Sequence, residues 1–391
     1  MGYDKPDLGF VVHYQAPGSI IAYYQKVGRA GRAIADAYGI LLAGHEDDEI
    51  HDYFRRTAFP SEEEVAGILG ALESSDGMTV QELEAKLNLR RRQIEQALKF
   101  LAVDDPAPVL KDKNIRRRTP VEYELPRDRI ERLTRGRELE WEELRGYVDS
   151  TACLMVHLAR ALDDPTARPC GRCSVCLGRP VISADVDHDT VIHATRYLRV
   201  SEFPLKAKKR VPKDAFKTCK WRGELPQRLR AQNGRVLSRW GDAGWGRAVA
   251  DDKRAGSFRD ELVGAVAEMI RDRWKPDPSP EWVTCVPSYT HPTLVPDFAR
   301  RLADRLGLPF IDAVRKVRQN QPQKVQQNQY HQCRNLDGAF IVQRAIPASP
   351  VLLVDDIVDS GWIMTVIAAL LLDAGSGPVW PVALADASAG E

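Results

Sequence analysis

The sequence predicts an α/β protein of several domains, and three stretches carry that prediction. Near the start, apolar runs over residues 1–60 alternate as strand, helix, strand, helix. In the middle, Cys153, Cys170, Cys173 and Cys176 stand in the spacing C-x16-C-x2-C-x2-C. Near the end, Val351-Leu352-Leu353-Val354 runs into Asp355-Asp356 and then Asp359-Ser360-Gly361. That last pattern is a buried strand delivering carboxylates to the edge where α/β sheets bind ligands. A chain of 391 residues suggests roughly two to four domains. Hydrophobic residues make up 43% and charged residues 28%, a balance that suits packed domains and argues against a disordered or membrane-spanning chain. No basic region with an apolar core opens the chain, so no signal peptide is expected. The formal net charge of +1 says nothing by itself about nucleic acid, but the basic residues are clustered. Cys219, Cys285 and Cys333 are scattered, as in a reducing compartment.

Residues 1–60 read as a strand from Leu8 to Tyr14, a turn at Ala16-Pro17-Gly18 and a helix from Ser19 to Val27 capped by Ser19. A second strand, Ala37 to Ala43, and a second helix, Asp47 to Arg56, follow. Between them lies Gln25-Lys26-Val27-Gly28-Arg29-Ala30-Gly31-Arg32, two arginines in a glycine-spaced loop. Small residues let such a loop approach another surface closely. Together with Met1-Gly2-Tyr3-Asp4-Lys5-Pro6, this stretch resembles motifs V and VI of RecQ-family DNA helicases, which close the second RecA-like motor domain. The resemblance implies that Gln25, Arg29 and Arg32 face ATP, with Arg29 and Arg32 catalytic and Arg32 the arginine finger that stabilises charge on the transferring phosphoryl group. A solvated arginine-rich turn is the competing reading. No G-x-x-x-x-G-K-[ST] loop and no D-E-x-H run occurs, and Met1 falls inside motif V. The expectation is therefore a remnant of the second motor domain. ATP and Mg²⁺ would bind only with a missing N-terminal helicase domain, and the chain would not hydrolyse ATP alone.

Residues 61–126 begin with Ser61-Glu62-Glu63-Glu64, a capping-box pattern. Helices are expected to Glu73, from Val80 to Leu87 and from Arg90 to Leu101, and short strands at Val109 to Lys111 and Val121 to Leu125. Three helices and a basic hairpin form the winged-helix pattern. DNA would meet Arg91 and Arg92 at the start of the third helix, and Lys113, Arg116, Arg117 and Arg118 between the strands. The alternative is a packing module with solvated arginines. In typical RecQ proteins the winged helix follows the zinc module, whereas here it precedes it.

Residues 127–180 read as strongly helical and charged from Arg127 to Leu162, with Cys153 in the last helix, followed by the knuckle Cys170-Gly171-Arg172-Cys173-Ser174-Val175-Cys176. Four thiolates in this spacing can surround Zn²⁺, and the same spacing is found in the RecQ zinc module. Four cysteines leave no open position, so the metal is expected to be structural. An iron–sulfur cluster also takes four thiolates.

Residues 181–280 read as a basic connector. Lys206, Lys208, Lys209, Arg210, Lys213, Lys217 and Lys220 interleave with Phe203, Phe216 and Trp221. Lys208, Lys209 and Arg210 are assigned to DNA, with the aromatics available for base stacking; a solvated linker is the alternative. An amphipathic helix, Phe258 to Trp274, and a stiff proline linker at Pro276, Pro278 and Pro280 close the stretch.

Residues 281–391 read as an α/β domain with strands at Trp282 to Val286, Pro309 to Val314 and Val351 to Asp356. Arg315 to Asn335 is expected to be a mobile loop. The acid run resembles the phosphoribosyl-pyrophosphate loop of type I phosphoribosyltransferases. Arg315 to Arg318, Gln323, Arg334, Asn335 and Phe340 resemble the ComF branch. The resemblance implies that Asp355 and Asp356 meet ribose hydroxyls and that Asp359, Ser360, Gly361 and Thr365 wrap a 5′-phosphate. Ile363 stands where that family usually has a hydroxyl residue, and Tyr289-Thr290-His291-Pro292 is a weak pyrophosphate loop.

The whole pattern resembles the C-terminal portion of bacterial RecQ-like helicases that end in a phosphoribosyltransferase-like domain. It implies part of an ATP-dependent 3′-to-5′ helicase in DNA repair or recombination. DNA at single-strand/duplex junctions would be the partner, the location cytoplasmic and nucleoid-associated, and membranes uninvolved. A non-catalytic DNA-binding fragment and a phosphoribosyltransferase with a DNA-binding front end remain alternatives. The sequence leaves oligomeric state open.

Overall fold

The computed structural model describes residues 5–343 and 345–388. Met1 to Asp4, the larger part of the run assigned to motif V, lies outside them. The chain divides into two compact units. One takes the chain up to Leu83 and from Arg91 to Asp185; the other takes Glu84–Arg90 and the chain from Val186 onward.

The first unit opens with β1 (Phe10–His13), α1 (Ile20–Val27), β2 (Tyr38–Leu41) and α2 (His45–Arg56). β1 and β2 are parallel, with Phe10 opposite Tyr38 and His13 opposite Leu41. Parallel neighbours need a crossover between them, and α1 is that crossover. The Ser19 hydroxyl accepts from the Ala22 N–H at 3.1 Å, which caps α1 as its sequence requires. Several apolar side chains of the strand pair face outward: Phe10 is 62% and Val12 47% exposed.

Next come α3 (Glu62–Glu73), β3 (Met78–Thr79), α4 (Val80–Lys86), α5 (Arg91–Leu101), β4 (Val109–Asp112) and β5 (Ile115–Arg118). The capping box of α3 is formed, with Ser61 and Glu64 exchanging hydrogen bonds of 3.1 and 3.0 Å. The three strands form an antiparallel sheet in the order β3-β5-β4. Val121 to Leu125 is not a strand; the hairpin closes earlier, and Arg116, Arg117 and Arg118 lie on its second strand instead of in its turn. Then follow α6 (Arg127–Val148), α7 (Leu154–Arg160) and α8 (Ser174–Leu177). The helical stretch expected to Leu162 is two helices, and Cys153 stands at the N-cap of the second, φ −53° and ψ 120°, instead of within it. Tyr23 and Ile20 of α1, Trp141, Leu144 and Tyr147 of α6 and Leu158 of α7 share one buried cluster.

The second unit contains α9 (His188–Val200), β6 (Phe203–Leu205), β7 (Gly234–Arg239), α10 (Gly246–Ala255), α11 (Asp260–Glu268) and β8 (Trp282–Cys285). After these come α12 (Leu294–Leu306), β9 (Val314–Lys316), α13 (Gln329–Leu336), β10 (Phe340–Val342), β11 (Val351–Val358), α14 (Trp362–Asp373) and β12 (Val379–Asp386). Its main sheet has the order β6-β7-β12-β11-β8. β7, β12, β11 and β8 are parallel, and β6 is an antiparallel edge. The two-residue period of a strand splits β11 between two cores. Val351 and Leu353 join the cluster containing Trp362 and Leu371 of α14, while Leu352 and Val354 join that of Leu262, Phe298 and Leu302 from α11 and α12. Helices thus cover both faces, which explains an apolar run without alternation.

Two expectations change here. Residues 181–280 are not a connector: they supply β6, β7, α10 and α11 to this unit, and Pro276 and Pro280 are buried within it. Arg315 to Asn335 is not a loop throughout, since it holds most of β9, a 3₁₀ turn at Gln323–Val325 and most of α13. Among the described residues no helix is long and apolar enough to cross a membrane.

Candidate functional site

The arginine loop leaves α1 at Gly28 and turns back along β1. The Gly31 N–H donates to the Leu8 carbonyl at 3.0 Å and the Ala33 N–H to the Pro6 carbonyl at 2.9 Å. Gly31 has φ +76°, and a Cβ there would lie 3.0 Å from the Ala37 Cβ. Only glycine adopts this backbone without cost. Gln25, Arg29 and Arg32 are all exposed around this turn. Behind them Tyr23 is buried, its ring 5.2 Å from both His13 and Tyr147. Burial, then the Lys26 charge, holds the His13 imidazole below its usual range.

Tyr147 lies on the helix that leads to the cysteines. The four sulfurs of Cys153, Cys170, Cys173 and Cys176 all lie within 4.8 Å of one another, and those of Cys153 and Cys173 are 4.0 Å apart. A Zn²⁺ tetrahedron with bonds of about 2.3 Å has edges of about 3.8 Å. The cluster needs only a small contraction to fit. Backbone N–H groups already point at the sulfurs: Cys170 N–H donates to Cys153 Sγ at 3.2 Å and Cys173 N–H to Cys170 Sγ at 3.3 Å. Burial pushes the Cys153 thiol up, but the N–H groups of Cys170 and Val156 outweigh it and bring it to about 6. Thiolate is the ligand form. In the knuckle, Arg172 faces Asp36, beyond the arginine loop, at 3.8 Å.

In the three-helix module, Arg91 and Arg92 are exposed at the start of α5; Arg91 pairs with Glu95 at 2.9 Å. The hairpin arginines divide. Lys113 sits in the turn with φ +53°, and Arg117 is exposed, with Asp112 at 4.0 Å and the Asp76 carbonyl accepting from its Nη1. Arg118 turns back to donate to the carbonyls of Pro108 and Thr119 at 3.0 and 2.8 Å. Arg116 is half-buried.

In the second unit the basic stretch does not present a stacking surface. Phe216 is buried, with Trp221 5.1 Å from it, and both pack on the core with Phe203. Lys209 and Arg210 are exposed. Lys208 instead runs beside Gly361, its Cε 3.7 Å from where a Cβ would stand, with Nζ 5.8 Å from the Trp362 ring centroid.

That places Lys208 at the acid edge. Asp355 and Asp356 end the buried part of β11 and are 7% and 8% exposed. The Asp356 N–H donates to Asp355 Oδ1 at 2.9 Å and the Ile357 N–H to Asp356 Oδ1 at 2.7 Å. Lys253, from α10, approaches Asp356 Oδ2 at 2.8 Å. Burial, then the charge of Asp356, holds the Asp355 carboxyl well above its usual range. Asp359 is exposed, Ser360 half-buried, and Gly361 takes φ +75° as the residue before α14. The Thr365 hydroxyl donates to the Gly361 carbonyl at 2.9 Å, while Ile363 packs on the core. Lys253 was not singled out from the sequence. It lies in the charge run Asp251-Asp252-Lys253-Arg254, where nothing marks one residue from the next.

No family model matches the chain. Parts of it are similar to RecQ-family DNA helicases. It is 29% identical over 187 residues to the ATP-dependent DNA helicase RecQ of Synechocystis, covering 45% of this chain and 36% of that protein. It is 34% identical over 76 residues to the probable ATP-dependent DNA helicase RecS of Bacillus subtilis, covering 19% and 15%. It is 51% identical over 47 residues to the RecQ-like DNA helicase blm-1 of Caenorhabditis elegans, covering 12% and 5%. The chain thus spans little more than a third, or less, of the length of these curated relatives.

Proposed function

We propose that this chain carries the end of the second motor domain, a structural zinc module and a DNA-binding module of a RecQ-like ATP-dependent DNA helicase. The observation that carries this reading is the exposed arginine loop, set on a helix that packs against the helix leading to four clustered cysteines, in a chain partly similar to RecQ helicases. Arg29 and Arg32 project from a turn whose glycine permits close approach. Fixed guanidinium groups of this kind stabilise the charge of a transferring phosphoryl group supplied by another domain. Two further features support the reading. β1 and β2 form a parallel pair with exposed apolar side chains, whereas parallel sheets are normally covered on both faces. The order β3-β5-β4 beside α3, α4 and α5 suits a winged helix that offers Arg91, Arg92, Lys113 and Arg117 to DNA phosphates.

Zn²⁺ held by the four cysteines would fix the junction behind the arginine loop through Tyr147 and Tyr23. The second unit would hold a phosphorylated ribose ligand at Asp355, Asp356 and the 359–365 turn. This binding role is favoured over transferase activity because Ile363 and Thr365 face the core and the Gly361 carbonyl.

The test joins the chain to a helicase motor segment bearing the phosphate-binding loop and measures DNA-stimulated ATP hydrolysis. Arg32→Ala is expected to lower kcat by about 10³ or more with DNA binding retained. ATP hydrolysis unaffected by that change would overturn the proposed role.

A further inference from the structure

The acid edge of the second unit contains two lysines that come from outside the acid motif. Lys253 reaches it from α10 and Lys208 from the segment after β6. We infer that these two lysines supply the positive charge a divalent cation would otherwise bring, so that this edge takes a ribose-5-phosphate-type ligand without a metal. The inference rests on the phosphorylated-ligand reading of this unit given above.

Both oxygens of Asp356 are already engaged by the protein. Oδ1 accepts from the Ile357 N–H and Oδ2 lies 2.8 Å from the Lys253 ammonium. Both partners are largely removed from water, their side chains 11% and 27% exposed. A Mg²⁺ bound here would have to displace that ammonium into surroundings that solvate it poorly. It would also need Asp355 ionised beside Asp356, which burial and the neighbouring charge both oppose. The Lys253 ammonium donates and the Asp355 and Asp356 oxygens accept, so this triad offers both donors and acceptors, which suits the vicinal hydroxyls of a sugar.

The phosphate end is arranged in the same way. α14 begins behind Gly361, which has no side chain to cap the first turn, and N–H groups at a helix start suit an anion. The indole N–H of Trp362, the first residue of that helix and 1% exposed, has no hydrogen-bond partner among the described residues. Lys208 runs alongside Gly361 and over the Trp362 ring. A monophosphate on this turn would meet one fixed cation, while the hydroxyls of the same sugar meet the Asp355–Asp356–Lys253 triad.

Titration of the full-length chain with ribose 5-phosphate by calorimetry tests this, in EDTA and again in excess Mg²⁺. The expected dissociation constants agree within about twofold, and ribose without phosphate binds at least about tenfold more weakly. Lys253→Met is expected to weaken metal-free binding by about tenfold or more and to make binding respond to Mg²⁺, and Lys253→Arg to restore metal independence. Lys208→Met should weaken ribose 5-phosphate and leave ribose unchanged. Wild-type binding that requires Mg²⁺ overturns the inference and leaves the phosphorylated-ligand reading standing. Absence of binding in both conditions overturns both.

Discussion

Gly31 sets the direction in which the chain continues from Arg29 to Arg32. Its φ of +76° lies in the left-handed region, and an added Cβ would stand 3.0 Å from that of Ala37. An L-residue pays about 1–2 kcal/mol for this conformation before any contact is counted. Gly31→Ala should therefore lower the stability of the first unit by about 1–2 kcal/mol in denaturant unfolding. It should also reduce ATP hydrolysis in a chain joined to the motor segment, because Arg32 follows it directly. An unchanged unfolding midpoint would show that the turn tolerates a side chain and is not the hinge of the loop. Asp252 offers a residue-scale test in the second unit. It is buried and accepts from both the backbone N–H and the guanidinium of Arg259, each at 2.8 Å. Burial pushes its carboxyl up, but the Arg259 bonds outweigh burial and hold it below the usual value. A depressed folded value means the ion pair contributes fully above the unfolded value, about 3.9. That contribution is lost as pH falls through the folded value. The stability difference between wild type and Asp252→Asn should accordingly shrink below about pH 4. A difference constant from pH 7 to pH 2 would rule out the ionised pair as its source.

At the scale of elements, the hairpin β4–β5 separates two kinds of arginine that look alike in sequence. Lys113 and Arg117 are exposed, whereas Arg118 satisfies two backbone carbonyls. Lys113→Ala and Arg117→Ala should each reduce the salt slope of DNA binding by about 1. Arg118→Ala should leave the slope alone and lower stability by about 1–2 kcal/mol through the carbonyls it strands. A slope change at Arg118 of the same size would place it on the DNA surface with Lys113 and Arg117. The strand expected at Val121 to Leu125 shows why this division was hidden. Val121 and Tyr123 alternate with polar residues, but a strand also needs an open neighbour, and β5 already has β3 and β4 on its two sides. Ile115-Arg116-Arg117-Arg118 carries little apolar signal and is a strand because of its pairing. For the same reason β7 was hidden inside the expected connector: it has six residues, and its pairing with β6 and β12 makes it a strand. Elements with their own periodicity or caps, such as α1, α3 and β11, were legible, as were the four cysteines and the acid run. Lys253 and Lys208 were not, because their role depends on contacts from distant segments.

For the whole molecule, the metal and the proposed ligand fall in different units. The cysteines and the Tyr23–Tyr147 cluster belong to the first. The two cores around the five-stranded sheet are made of residues after Val186. If the four cysteines hold Zn²⁺ as proposed, removing it would take away four bonds that close a loop from Cys153 to Cys176 and leave thiols in their place. The second unit keeps every contact of its own sheet. Calorimetry is therefore expected to resolve two transitions. Chelator, or Cys173→Ser, which should release the metal, lowers only the one that reports the first unit. Ribose 5-phosphate should raise only the other, by about 2.7 kcal/mol at a hundred times its dissociation constant, since a ligand stabilises the unit that binds it. A single transition that moves with both reagents would mean that the two units unfold together, and the metal would then support the acid edge as well as the arginine loop.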